Sequence, residues 1–93
     1  MELKDLTAEM NRFVAAKGWY EPTSPRQQSS RNLAISLSLE AAEVLEHFQW
    51  SDQLKDLQAL SEELADVALY LLQLASVNNI DLEQAILAKL KKN

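Results

Sequence analysis

Apolar residues recur every three or four positions along most of the 93-residue chain, which is the period of a helix and not the alternation of a strand. Leu3, Leu6, Met10, Phe13 and Val14 share one face of a first helix predicted over residues 2–17. Gly18 follows and supplies the left-handed residue that ends it. Residues 19–28, WYEPTSPRQQ, read as a connector. Within it Ser24, Pro25 and Gln27 form a helix-start signal: a cap, a proline at the first helical position, and an amide that can reach back. That signal predicts a second helix from about residue 25 to about residue 50. Ser51 or Asp52 then caps a third, with an irregular first turn before Ser61, that runs to about Val77. Asn78 and Asn79 tolerate the left-handed turn that closes it, and Asp81 with Gln84 starts a short fourth helix ending in KLKKN. The lysines there complement the negative end of the helix dipole.

With one glycine, two prolines and few β-branched stretches, the composition is that of an all-α protein. The expected architecture is a single domain over residues 1–93, a four-helix chain with two long antiparallel central helices. Those central helices are apolar on more than one face. Leu33, Ile35, Leu37, Leu39, Val44 and Leu45 point in several directions, as do Leu64, Val67, Leu69, Leu71, Leu72 and Leu74. A lone surface helix keeps one apolar stripe, so the pattern predicts a helical-bundle homodimer or a dimer of dimers, a homotetramer.

The absence of cysteine excludes disulfides and thiolate metal sites, and a single histidine, His47, argues against an imidazole-rich one. The most apolar run, residues 64–77, is interrupted by Asp66 and Gln73 and is too short to cross a bilayer. The amphipathic, partly acidic N-terminus does not read as a signal peptide or a membrane anchor. These features predict a soluble cytoplasmic protein with no membrane partner. A net charge of −5 argues against a nucleic-acid binder, which presents a basic stripe.

One detail breaks the helical pattern. Glu40 lies in line with Leu33, Leu37, Val44 and Phe48, where an apolar residue belongs. Glu43 follows three positions later on the same face, and Glu63 and Asp66 repeat the spacing on the third helix. Both pairs sit in the same local context, EAAEV and ELADV. With antiparallel helices turning near residue 53, Glu40 faces Asp66 and Glu43 faces Glu63. No lysine or arginine occupies a helical neighbour position of these four acids, as solvated surface glutamates commonly have. Four ionised carboxylates between apolar walls require raised pKa values or bound cations, and an all-oxygen set suits Mg²⁺, with Mn²⁺ as the alternative. Without these four charges the −5 falls to −1, so the acidity is largely local. A ferritin-like di-iron site wants a Glu-x-x-His pair from each of two helices, whereas His47 is four residues after Glu43. His47 itself reads as an exposed or interfacial side chain.

E-x-x-E at 40–43, nineteen intervening residues, and E-x-x-D at 63–66 resemble the motif of the MazG-like all-α nucleoside triphosphate pyrophosphohydrolases. RNLAISLSLEAAEVLEHFQW and EELADVALYLLQLA are similar to the second and third helices of that family's deoxycytidine triphosphate (dCTP) pyrophosphatase branch. The resemblance extends over residues 10–93. It implies Mg²⁺-dependent hydrolysis of a nucleoside triphosphate, dCTP or a related or modified nucleotide, to the monophosphate and pyrophosphate, a house-cleaning activity on the nucleotide pool. By matching position, Glu40, Glu43, Glu63 and Asp66 would be the metal ligands and catalytic acids. Trp19, Trp50 and Tyr70 match aromatic positions around the nucleoside, and Arg31, Lys89 and Asn93 match polar contacts to phosphate or sugar. The connector WYEPTSPRQQSSRNL is longer than the branch pattern and lacks its histidine. Two alternatives stand beside this reading. One is a helical regulatory module that binds nucleotide or metal without turnover; the other is a phosphoribosyl-ATP pyrophosphohydrolase, built on the same scaffold.

Overall fold

In the computed structural model, which describes residues 1–93, four helices follow one another: α1 (Leu3–Ala16), α2 (Ser30–Glu46), α3 (Leu57–Val77) and α4 (Leu82–Lys92). There is no strand. Gly18 at φ +75° and Asn79 at φ +56° take the left-handed conformation after α1 and α3, as their positions in the sequence predict. Asp81 caps α4 by accepting from the Gln84 N–H at 3.1 Å.

The central helices are shorter than predicted, and the reason lies in how polar side chains spend their hydrogen bonds. Ser24 does not cap α2. Its Oγ accepts from the Arg26 N–H at 3.0 Å and closes a local turn. Gln27 folds back to donate to the carbonyls of Pro22 at 3.0 Å and Ser24 at 2.6 Å. Side chains bonded to their own loop compete with helix formation. Helix α2 therefore waits for Ser29, whose side chain accepts from Asn32 N–H at 3.2 Å. At the other end, α2 stops with His47 as its C-cap, short of Trp50. Ser51 accepts from Gln53 N–H at 3.1 Å within the turn, and Asp56, not Ser51 or Asp52, caps α3 through Ala59 N–H at 3.0 Å.

Helices α2 and α3 form the main contact, antiparallel, and α1 packs across α3. Asn78 at the end of α3 donates to Ser30 Oγ at the start of α2, 2.9 Å away. Met10 and Val14 of α1 meet Leu72 of α3 in the core, with Leu3, Trp19 and Leu82 packed around them. Leu33 of α2 is the most enclosed side chain, 2% exposed. Yet only six of 93 residues are buried. The radius of gyration is 15.1 Å, against about 12 Å for a compact domain of this length. The accessible surface is 7190 Å², against roughly 5,400 Å² for a compact monomer of this mass. No helix is long and apolar enough to cross a membrane.

Candidate metal centre and adjoining cavity

Glu40 and Glu43 project from one face of α2, and Glu63 meets them from α3. One carboxylate oxygen of each lies within 4.8 Å of the others. Asp66, one turn further along α3, stands outside this tight group but near enough to act on the charge of Glu40 and Glu63.

The electrostatics follow from the crowding. Burial pushes the Glu40 carboxyl up to about 7, and hydrogen bonding and repulsion from Glu63, Glu43 and Asp66 add to it. Glu63 is raised by burial first and by Glu43 next, while Glu40 opposes that rise. A proton kept on Glu40 gives the crowded group one donor and relieves its repulsion. When all three are ionised, nothing in the group can donate. Glu40 Oε2 is then a sealed oxygen with no hydrogen-bond partner. A buried acceptor without a donor is costly, and a cation relieves it. The donor set is all carboxylate oxygen, which fits a hard divalent ion. The residues present therefore fit the metal that the sequence motif implies.

His47, read from the sequence as exposed or interfacial, is not exposed but largely enclosed beside the acids. It follows Glu40 by seven and Glu43 by four on the same helix face. Its Nε2 lies 3.9 Å from Glu63 Oε1, and both side chains are more than four-fifths buried. The spacing was a usable signal.

Beside the carboxylates a cavity of about 790 Å³ opens between α1, the connector and the faces of α2 and α3. Asp66, Tyr70 and Gln73 line it from α3, in line at helical spacing. Trp19 forms another wall. Its ring meets Phe13 edge-on, with centroids 5.9 Å apart, and the Arg26 guanidinium lies over its face at 5.3 Å. Tyr20 donates to Asn11 Oδ1 at 2.5 Å behind this wall, its phenol raised by burial and partly offset by Gln73.

The other anticipated contacts do not gather here. Arg31 is exposed on the first turn of α2 and does not line the cavity; Arg26 and Asn32 do. Trp50 is 87% exposed, because α2 ends before it and releases it into the turn. Lys89 and Asn93 are exposed on α4, which starts beyond the end of α3 away from the carboxylates. Arg26, Gln28 and Gln73 line the cavity without having been singled out as ligand contacts, since the connector's path decides what faces α3.

Comparison with known proteins agrees with the motif. Over 100 residues the chain is 34% identical to dCTP pyrophosphatase 1 of Mus musculus, covering 98% of this chain and 56% of that protein. It is 33% identical to dCTP pyrophosphatase 1 of Homo sapiens over the same shares. The chain thus spans about half the length of the curated relatives it matches. It is also similar to a crystal structure of a pyrophosphatase from Archaeoglobus fulgidus, with a TM-score of 0.77 and 32% identity over 97% of this chain and 86% of that one. Residues 35–93, which hold all four acids of the motif, match the MazG-like family, and the chain belongs to it.

Proposed function

We propose that this protein hydrolyses a deoxynucleoside or nucleoside triphosphate to the monophosphate and pyrophosphate, with dCTP or a related or modified nucleotide as substrate. The observation that carries the reading is the convergence of Glu40, Glu43 and Glu63 within 4.8 Å beside a cavity walled by Trp19 and Tyr70. Glu40, Glu43, Glu63 and Asp66 would hold Mg²⁺, or Mn²⁺ in its place. Such ions, when bound, polarise phosphoryl oxygens and acidify water. The chain's own residues do the rest. Glu40 and Glu63 are partly enclosed between the helices, where charges interact more strongly than in bulk water. An acid of the set not fully used as a ligand would accept the proton of the attacking water. Trp19 and Tyr70 offer aromatic surface to the nucleoside, and Arg26 brings a positive charge to the same wall. The similarity to dCTP pyrophosphatases supports the substrate class.

The working unit is a homodimer or a dimer of dimers. Its support is the surplus surface of the single chain, about 1,800 Å² beyond a compact monomer's. Exposed apolar residues on both central helices fit that reading: Leu39 is 62% exposed, Leu45 69% and Leu57 70%. An interface of obligate size would cover them. Trp50, Lys89 and Asn93 remain ligand candidates only in such an assembly, where a second copy brings its cavity to them.

The deciding experiment is pyrophosphate release across a panel of nucleotides with Mg²⁺, with the products identified. Release of pyrophosphate plus monophosphate supports the reading. Nucleotide binding without release supports a regulatory module, and release from phosphoribosyl-ATP alone would reassign the substrate.

A further inference from the structure

Gln73 interrupts the apolar run of α3, yet it is the one buried polar residue of the fold, 3% exposed. An amide at such a position must be hydrogen-bonded or lose stability. Its Nε2 donates to Gln28 Oε1 at 2.7 Å, and Gln28 Nε2 donates in turn to the Arg26 carbonyl at 2.6 Å. This relay has a fixed direction. A backbone carbonyl can only accept, so Gln28 must turn its NH₂ to Arg26 and its oxygen to Gln73. Gln73 must then turn its own NH₂ to Gln28. Its other N–H faces the Tyr20 phenol, whose pKa it lowers, and its carbonyl oxygen is left over. Nor is that oxygen sealed away: the single enclosed side-chain oxygen without a partner is Glu40 Oε2. Gln73 lines the cavity, so its acceptor opens there.

The position along α3 matters as much as the orientation. Gln73 lies seven residues from Asp66 on the same face, about 10 Å along the helix axis. A triphosphate held at the carboxylates would direct its nucleoside past Tyr70 toward Gln73. We infer that Gln73, oriented by Gln28, reads the base, and that its carbonyl oxygen accepts a hydrogen bond from an exocyclic amino group. Cytosine and adenine carry that donor; uracil, thymine and hypoxanthine present a carbonyl at the same place and would meet oxygen with oxygen. This rests on the nucleotide-hydrolase reading above. It names the class of base that the cavity takes and the residue that chooses it.

The test uses matched pairs that differ only at the exocyclic group, dCTP against dUTP and dATP against dITP. Pyrophosphate release is measured for the unsubstituted protein, Gln73→Met and Gln28→Ala. The unsubstituted protein should favour the amino member of whichever pair it accepts by roughly 10- to 100-fold in kcat/KM. Gln73→Met keeps the volume and suits an apolar helix face, so circular dichroism and melting should show a folded protein. Its preference should collapse to within about threefold, chiefly through loss on the amino nucleotide. Gln28→Ala frees the amide to turn and should lower the preference part-way. A purely structural Gln73 would alter melting and leave the ratio unmoved. An unmoved ratio in both folded variants, or a preference for the carbonyl bases, overturns the inference while leaving the hydrolase reading standing. No release from any nucleotide by the unsubstituted protein overturns that reading, and the inference with it.

Discussion

Glu40→Gln should make the metal-free protein more stable at pH 8 and deprive it of its response to Mg²⁺. The carboxyl of Glu40 sits at about 7 in the fold, against 4.5 ordinarily, because burial and three neighbouring acids oppose its charge. Below pH 4.5 the group is protonated whether the chain is folded or not, and pH does not act through it. Between 4.5 and 7 the unfolded chain releases the proton and the fold retains it, so stability falls as pH rises. Above 7 the loss is complete. At about 1.4 kcal/mol per tenfold change the full penalty is about 3 kcal/mol. Water on the open side of the cleft screens this to about 1–2 kcal/mol. Glutamine removes the charge and supplies the donor that Glu63 and Glu43 lack. For a chain of this length the gain corresponds to a melting temperature about 5–10 °C higher. Saturating Mg²⁺ should reverse the order. The unsubstituted protein gains about 2.7 kcal/mol at a hundredfold excess over Kd, and the variant gains little. Thermal melts at pH 5 and pH 8, with and without Mg²⁺, read all four conditions. Equal melting of the two metal-free proteins at pH 8, or equal stabilisation by Mg²⁺, would refute the placement of Glu40 among charged neighbours.

Three further outcomes follow from the same geometry. Glu43→Ala and Asp66→Ala should each abolish pyrophosphate release with helicity intact, but calorimetric titration should show a larger loss of Mg²⁺ affinity for Glu43, since Asp66 stands outside the 4.8 Å group. Leu33→Ala empties the most enclosed site of the fold and should destabilise it by about 2–4 kcal/mol in denaturant melts. Trp50→Ala, at a side chain 87% exposed, should change the stability of the dissociated chain by less than about 0.5 kcal/mol; light scattering across a dilution series would show whether it loosens the assembly.

The convergence of Glu40, Glu43 and Glu63 was legible because it depends on local spacing. Two acids three apart on a helix share a face whatever the rest of the chain does, and two such pairs on neighbouring antiparallel helices must approach. His47 obeys the same rule, since its place four residues after Glu43 puts it on the acidic face, but its neighbour Glu63 lies on another helix and shows only in the fold. The helix ends were less legible for a related reason. Ser24 and Ser51 are good caps in isolation, but both bond their own turns, and which serine caps depends on the path of the connector.

Periodicity, composition and the paired acids thus determined by themselves that the chain is all-α, where its helices broadly lie, and which acids share a face. Those properties arise from interactions within a few residues, which the order of amino acids specifies directly. Tertiary structure alone decided that Asp66 stands apart from the three glutamates, that Arg26 and not Arg31 reaches the cavity, and that Trp50 faces water. It alone turned Gln73 from an interruption in an apolar run into a buried amide with a fixed direction. Each of these depends on where a distant segment comes to rest, and that is set by the packing of whole helices and the course of the connector between them.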